Sequence, residues 1–412
     1  MVHKVENVTH SHLMKRVDVL IVCTYFGKIN AAYRRLNYFI RYLEKRGLKV
    51  SCAGFLEFHS SGIVKPPNEC YVSGLFISTR YKLITLLNIM FSLPLILLIV
   101  ILRPKVVILS IPDESPAIAT YLGCLLARSK LIIDVRDWIE ESVEKDVAHS
   151  HRRILLNLMD YVLRRINYSI YRKAEAITAV TRTLVHMLTK VMRKPIHFIP
   201  NGADLEVFIP IDKKRAREML GLNQGSFLFA YIGFLSSYGY YDILPILIAI
   251  QEIRKKYDVD IRLVVAGRVY DKGVKKIIER FKDVVQYMEI LDERGLILLL
   301  SASDAGTIPR IRDPTYNYAV PVKFYEYIAM GLPVIVTANK ESELAEIVEG
   351  NKLGLVCNPG DYICLEKAIT MIVTNKELLN ELKRSVLNFR KHVDRSVGAE
   401  RLFKLIIKLL SS

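Results

Sequence analysis

The stretch Pro321-Val-Lys-Phe-Tyr-Glu326-Tyr-Ile-Ala-Met-Gly331-Leu-Pro333-Val-Ile-Val336 reads as a loop, a short helix, a glycine stop and a buried strand. Pro321 rigidifies the helix entry and Gly331 ends the helix. Leu332–Thr337 is mostly apolar and β-branched, as a central parallel strand is. The first turn of such a helix has backbone N–H groups without intrahelical partners, and these suit a diphosphate. Lys323 brings a positive charge to the same turn. Glu326, one turn further on, carries a carboxylate able to accept hydrogen bonds from ribose hydroxyls. The plainer alternative is an ordinary helix–strand unit with a surface Lys–Glu pair.

A second stretch narrows the choice. Phe198-Ile-Pro200-Asn201-Gly202-Ala-Asp204-Leu-Glu-Val-Phe208-Ile-Pro210 is a strand followed by an Asn-Gly turn. Together the two stretches resemble the glycosyltransferases of family 4, in which a Pro-Asn-Gly-x-Asp-x-x-x-Phe-x-Pro segment lies where two domains join. Pro200, Asn201, Gly202, Asp204, Phe208 and Pro210 all match it. The resemblance spans nearly the whole chain but is specific only in the C-terminal half. It implies an α/β protein with the GT-B fold, two Rossmann-like doubly wound parallel-sheet domains facing across a cleft. It also implies a retaining, nucleotide-sugar-dependent enzyme, with Asn201, Gly202 and Asp204 at the hinge.

Length and composition fit that expectation. A chain of 412 residues suits two domains better than one core, and half its residues are hydrophobic. Strand patterns alternate with helical ones throughout, which argues for parallel sheets covered on both faces, with ligands at the carboxyl ends of the strands. The expected division is 1–208 for an acceptor-binding domain and 209–395 for a nucleotide-sugar-binding domain. A last helix within 396–412 is expected to return to the first domain, as in the family. Met1–Arg16 is polar and charged and Val17–Phe26 is a short apolar run, which reads as a first strand rather than a signal peptide. The six cysteines form no CxxC pair and read as buried thiols of a reducing compartment.

The donor site is expected in the second domain. Tyr231-Ile-Gly233-Phe-Leu-Ser-Ser-Tyr-Gly239 leaves its first strand, and Gly233 lets backbone approach a ligand closely. Family members usually carry an Arg after the first glycine and a Lys before the second; Phe234 and Tyr238 stand there. Arg268, in Ala266-Gly267-Arg268, and Lys323 are the candidates to replace that charge. The family's sugar-contacting Glu, eight positions before Glu326, is Tyr318 here. On the acceptor side, Asp134-Val-Arg136-Asp137-Trp138-Ile-Glu140 follows a strand and resembles a segment of one family branch. Asp137 is the candidate for orienting or deprotonating the acceptor hydroxyl, the alternative being a helix N-cap. Gly27 and Arg34 are candidates for holding the acceptor. No cofactor and no metal are expected, since helix N-termini and basic side chains stabilise the leaving diphosphate.

The uncharged run Leu83–Leu102 is long enough to span a bilayer, with Lys82, Arg103 and Lys105 at its ends. Three readings stay open: an interfacial segment bent at Pro94, with Leu95, Leu98 and Ile99 facing lipid; a helix buried on the sheet; and a true span. Lys and Arg number 59 against 42 Asp and Glu, a net charge of +17. Such a field attracts anionic headgroups and phosphate-bearing lipids. No recognition helix, zinc-finger spacing or RNA-binding aromatic motif points to nucleic acid. The sequence therefore points to a glycosyltransferase at the cytoplasmic face of the cell membrane, acting on a lipid-linked or polymeric glycan. A nucleotide-sugar epimerase of the same fold, or a degenerate homologue that only binds, stays open.

Overall fold

The computed structural model describes residues 17–24, 31–59, 62–77, 82–111, 115–137, 153–236, 241–269, 271–289 and 292–411. In chain order the first half contains β1 (Val19–Cys23), α1 (Ala31–Lys45), β2 (Val50–His59), β3 (Gly62–Val64), β4 (Tyr71–Ile77), α2 (Lys82–Phe91), α3 (Pro94–Leu102), β5 (Val106–Ile111), α4 (Ala117–Ala127), β6 (Lys130–Val135), α5 (Arg153–Lys173), β7 (Ala176–Ala179), α6 (Arg182–Met192) and β8 (His197–Phe198). The second half contains α7 (Lys213–Leu220), β9 (Phe227–Ile232), α8 (Leu244–Tyr257), β10 (Ile261–Ala266), α9 (Lys272–Arg280), β11 (Val285–Met288), α10 (Glu293–Ala302), β12 (Ala305–Pro309), α11 (Val322–Ala329), β13 (Val334–Thr337), α12 (Glu343–Gly350), β14 (Gly354–Cys357), α13 (Tyr362–Thr374), α14 (Lys376–Phe389) and α15 (Arg395–Ser411). The chain divides into two compact units. One holds residues up to Val180, Val185–Ile199 and Ala399 onward; the other holds Thr181–Leu184 and Pro200–Gly398. Residues 200–208, assigned from sequence to the first domain, thus belong with the second unit.

The first unit is an eight-stranded sheet in the order β3-β2-β1-β5-β6-β7-β8, with β4 also pairing β2. Every pairing is parallel except the β2–β3 hairpin. The central strands β1 and β5 are buried along their whole length, so they read as unbroken apolar runs. Helices α1 and α15 share one core with β1, β5 and β6, through Leu36, Phe39, Leu43, Leu402 and Ile406.

The Leu83–Leu102 run is two helices, α2 and α3, broken at Ser92–Leu93 just before Pro94. Leu95 and Ile99 are fully buried, which corrects their assignment as lipid-facing residues. Ile99 lies so close to Gly123 of α4 that a Cβ there would come within 2.9 Å of it. The outward positions are instead Leu86, Leu87, Met90, Leu93, Leu97 and Ile101. One side of the segment is wedged against the sheet layer and the other is open.

The second unit is a six-stranded, fully parallel sheet in the order β11-β10-β9-β12-β13-β14. Alternate residues of β9 and β10 enter separate cores on its two faces, Leu228, Ala230 and Val264 on one, Phe229, Tyr231 and Val265 on the other. Strand order reverses between β9 and β12, the place where such sheets bind ligands.

Four of the six cysteines are paired, which corrects the all-thiol reading. Cys52 of β2 bonds Cys70, and Cys357 of β14 bonds Cys364 of α13. Strands β2 and β4 lie side by side with Ala53 opposite Tyr71, so residues distant in sequence meet at the ladder's start. Cys23 and Cys124 are buried and outside both disulfides, and burial pushes the Cys124 thiol far above the ordinary range.

Candidate functional site

Helix α11 is placed by its ends. Pro321 is its N-cap, with no side chain capping the first turn. Gly331, at φ +77°, turns the chain so that Leu332 N–H donates to the Tyr327 carbonyl at 2.9 Å. Every residue from Lys323 to Ala329 is buried. Tyr327 locks the helix onto the sheet. Its hydroxyl accepts from Ile232 N–H at 3.1 Å and donates to the Ala230 carbonyl at 3.1 Å. Gly306 makes room for the ring, since a Cβ there would approach it to 2.5 Å.

This anchoring sets Lys323 at the β9–β12 switch point. Its Nζ lies 4.0 Å from the centre of the Tyr231 ring and 3.6 Å from that of Tyr241. The ammonium is buried and has no hydrogen-bond partner among the described residues. Burial drives its pKa well below the usual lysine range; Glu326 opposes that shift and Arg310 adds to it. The two ring faces give partial compensation, about 0.5–2 kcal/mol for such a contact. The sequence alternative of a surface Lys–Glu pair is therefore excluded: Glu326 is 2% exposed and Lys323 8%.

Two glycine loops close on the same point. Gly233 has φ +126°, and a Cβ there would sit 3.1 Å from Lys323 Nζ. Gly267 has φ +145°, and a Cβ there would collide with the Gly233 carbonyl. Only glycines let the ends of β9 and β10 nest in this way. Leu235 N–H donates to the Arg268 carbonyl at 2.9 Å, while the Arg268 side chain is exposed. Phe234 is exposed too, and its carbonyl accepts from the Tyr231 hydroxyl at 2.9 Å. The ends of β9 and β10 and the first turn of α11 thus converge on Lys323. This point combines α11 first-turn N–H groups, an amine with no hydrogen-bond partner among the described residues, and a carboxylate one turn on. Gly239 and Tyr238 lie outside the described residues.

The sequence reading missed Tyr231, Tyr241 and Arg310. Arg310 is buried at the end of β12 and donates from Nη1 to the Tyr316 carbonyl at 2.7 Å. Its place just past a strand's carboxyl end was the available signal. Tyr318 is buried in the same region.

The hinge candidates have structural duties within the second unit. Gly202 faces the backbone of Arg395, whose Cα would be 2.7 Å from an added Cβ, and its carbonyl accepts Arg395 Nη2 at 2.6 Å. Ala203 bridges Asp394. Buried Asp204 accepts Glu206 N–H at 3.2 Å, and its carbonyl accepts Phe208 N–H at 2.8 Å, forming a turn. Asn201 precedes this pair of contacts and is half-buried.

In the first unit, Asp137 and Arg34 are the acceptor candidates among the described residues. Asp137 is exposed just beyond β6, while Trp138, Glu140 and Gly27 lie outside the described residues. Arg34 is half-buried on α1. Its neighbour Arg35 is buried instead, donating to Asp134 Oδ1 at 3.3 Å and the Ile199 carbonyl at 3.0 Å. Asp134 also accepts from Ser110 at 3.0 Å and Thr178 at 2.7 Å, tying β5, β6 and β7 together beneath Asp137. Among the described residues no three His, Cys, Asp or Glu side chains gather as metal ligands.

Two family models match the chain, Glycosyltransferase Family 4 over residues 32–207 and Glycosyl transferases group 1 over 227–375. The chain belongs with the family-4-like glycosyltransferases of the GT-B fold. No curated protein matches this glycosyltransferase in sequence. Solved structures share its fold at low identity. Sucrose-phosphate synthase from Thermosynechococcus elongatus is 14% identical with a TM-score of 0.71, over 96% of this chain and 100% of that one. Anabaena HepE, solved in complex with UDP and glucose, is 13% identical with a TM-score of 0.67, over 95% and 99%. WaaG, a glycosyltransferase involved in lipopolysaccharide biosynthesis, is 12% identical with a TM-score of 0.65, over 94% and 99%.

Proposed function

We propose that this glycosyltransferase takes a sugar from a nucleotide-sugar donor and passes it to a lipid-linked or polymeric glycan at the cytoplasmic face of the cell membrane. The observation that carries the donor half is the desolvated Lys323 amine beside Gly233 and the α11 N-terminus, with Glu326 one turn on. A diphosphate seated there takes N–H bonds from the helix and charge from Lys323, and Glu326 holds the ribose hydroxyls. Charge grows on the diphosphate as the sugar leaves, so the same groups act most strongly in the transition state. Arg268 and Gly233 border the donor. Asp137 orients the acceptor hydroxyl, with Arg34 and Gly27 holding the acceptor. Transfer proceeds with retention; the departing phosphate takes the acceptor proton, and neither a metal nor an enzyme nucleophile is required. Anabaena HepE, with UDP or UDP-glucose bound in its structures, and WaaG, with its lipopolysaccharide role, support donor and acceptor class respectively.

The observation favouring a second reading is Phe234, exposed where the family usually has Arg. On that reading the chain binds a nucleotide sugar without transferring it. A thermal-shift panel of nucleotide sugars, followed by transfer assays with membrane extract as acceptor, tests both. A stabilising donor with product formation supports transfer; stabilisation without product favours the binding protein, and no stabilisation by any donor sinks both.

A further inference from the structure

We infer that the outer surface of α3 and α4 is a docking face for an anionic lipid bilayer, with the first unit seated on the membrane rather than threaded through it. The inference begins from a contact. Ile99 of α3 presses on Gly123 of α4, which sets these two helices side by side. Each is followed by a strand of the same parallel sheet, so both run the same way and end at the sheet's amino edge. Both helices carry exposed apolar side chains. Leu97 and Ile101 of α3 are 62% and 55% exposed; Leu125 and Leu126 of α4 are 57% and 68% exposed. Met90 of α2 is 61% exposed. Isolated exposed leucines need no explanation, but several on two helices packed side by side do.

Charge selects the occupant. Arg103 and Arg128 cap α3 and α4 and are both exposed, each in a left-handed conformation that glycine adopts more easily. Lys173, at the end of α5, lies over Tyr121 of α4. Helices α2, α3 and α4 carry no acidic residue. A second copy docked symmetrically would therefore offer no carboxylate to these arginines, whereas lipid phosphates do. Apolar side chains that enter the headgroup boundary, with cations at their rim, are the makings of an interfacial surface. Leu122, Leu125 and Leu126 lie outside the apolar run that the sequence singled out, and only the packing adds them to it.

The inference deepens the proposed membrane-face reading but does not depend on transfer chemistry. The test is co-sedimentation with vesicles of phosphatidylcholine containing phosphatidylglycerol, with calorimetric UDP binding on the same samples. Wild type should bind these vesicles, less in high salt and less on phosphatidylcholine alone. Leu97→Ser with Leu126→Ser should weaken binding at least tenfold without lowering the melting temperature, since both side chains already face out. Arg103→Gln and Arg128→Gln should each cost about fivefold, near the value of one cation at an anionic surface. Wild type that ignores vesicles, or variants that bind as wild type does, overturns the docking face. So does a dimer, seen by light scattering, that the serine variant dissolves. Loss of UDP binding with vesicle binding intact counts against the donor reading alone.

Discussion

Lys323 is the residue on which the proposed donor site turns. Its proton is bound more weakly in the folded chain than at the ordinary lysine value of 10.5. Folding stability contributed by this group therefore rises as pH rises toward 10.5 and is reduced below it, down to the folded value. Lys323→Met should raise the melting temperature at neutral pH by removing a desolvated charge, while turnover collapses. An anionic ligand favours the charged amine, so diphosphate binding takes up a proton and tightens as pH falls through the free protein's Lys323 pKa. Titrating UDP against uridine across pH should show this difference, and Lys323→Met should remove it; a pH profile unchanged in the mutant contradicts the assignment. Glu326 is tested separately. Glu326→Ala should weaken nucleotide-sugar binding by about 1–3 kcal/mol, the range for losing hydrogen bonds to a charged group. Calorimetry giving an unchanged affinity in a folded mutant would refute the ribose role.

At the scale of elements, the site depends on how α11 is held. Tyr327 bonds the backbone of β9 and fills the space that Gly306 leaves in β12. Tyr327→Phe leaves the buried Ile232 N–H short of a partner, at about 1–3 kcal/mol, while the Ala230 carbonyl keeps the Thr307 hydroxyl. Chemical denaturation should register that loss, and donor affinity should fall with it because Lys323 rides on the same helix. A mutant with full stability would mean that packing alone seats α11. Much of this element was legible beforehand. The Pro321 entry and the Gly331 stop stand where the sequence put them. The carboxyl-edge position of Gly233 was legible as well, because turn chemistry is local. The aromatic enclosure of Lys323 was not, since Tyr231 and Tyr241 arrive from a strand and a loop far away in sequence.

At the scale of the whole molecule, two disulfides join segments of the first and second units internally. Unfolded, non-reduced protein should show two reactive thiols by thiol titration, Cys23 and Cys124, rather than six. Cys52→Ala with Cys70→Ala should lower stability by about 3 kcal/mol, as expected for a loop of this length. Six titratable thiols, or an unchanged denaturation midpoint, would restore the reading of buried thiols. The vesicle experiment belongs to this scale too, because the docking face is a property of two packed helices rather than of either.

Sequence by itself determined the class of fold and the ends of most elements. Periodicity, β-branched runs and glycine or proline punctuation act over a few residues, and α11 begins and ends where Pro321 and Gly331 punctuate the chain. It also singled out Lys323 and Glu326, because a motif at fixed spacing is local information. The tertiary structure decided everything that depends on which side of an element faces inward. Arg34 and Arg35 are adjacent and chemically alike, yet Arg34 is half-buried while Arg35 is buried against Asp134. Leu95 and Leu97 differ by two positions, yet one is buried and the other open. Cys52 and Cys70 pair because β2 and β4 are neighbours in a sheet. In each case the deciding energy is desolvation against a partner that the chain brings from a distance, and no local pattern encodes that partner.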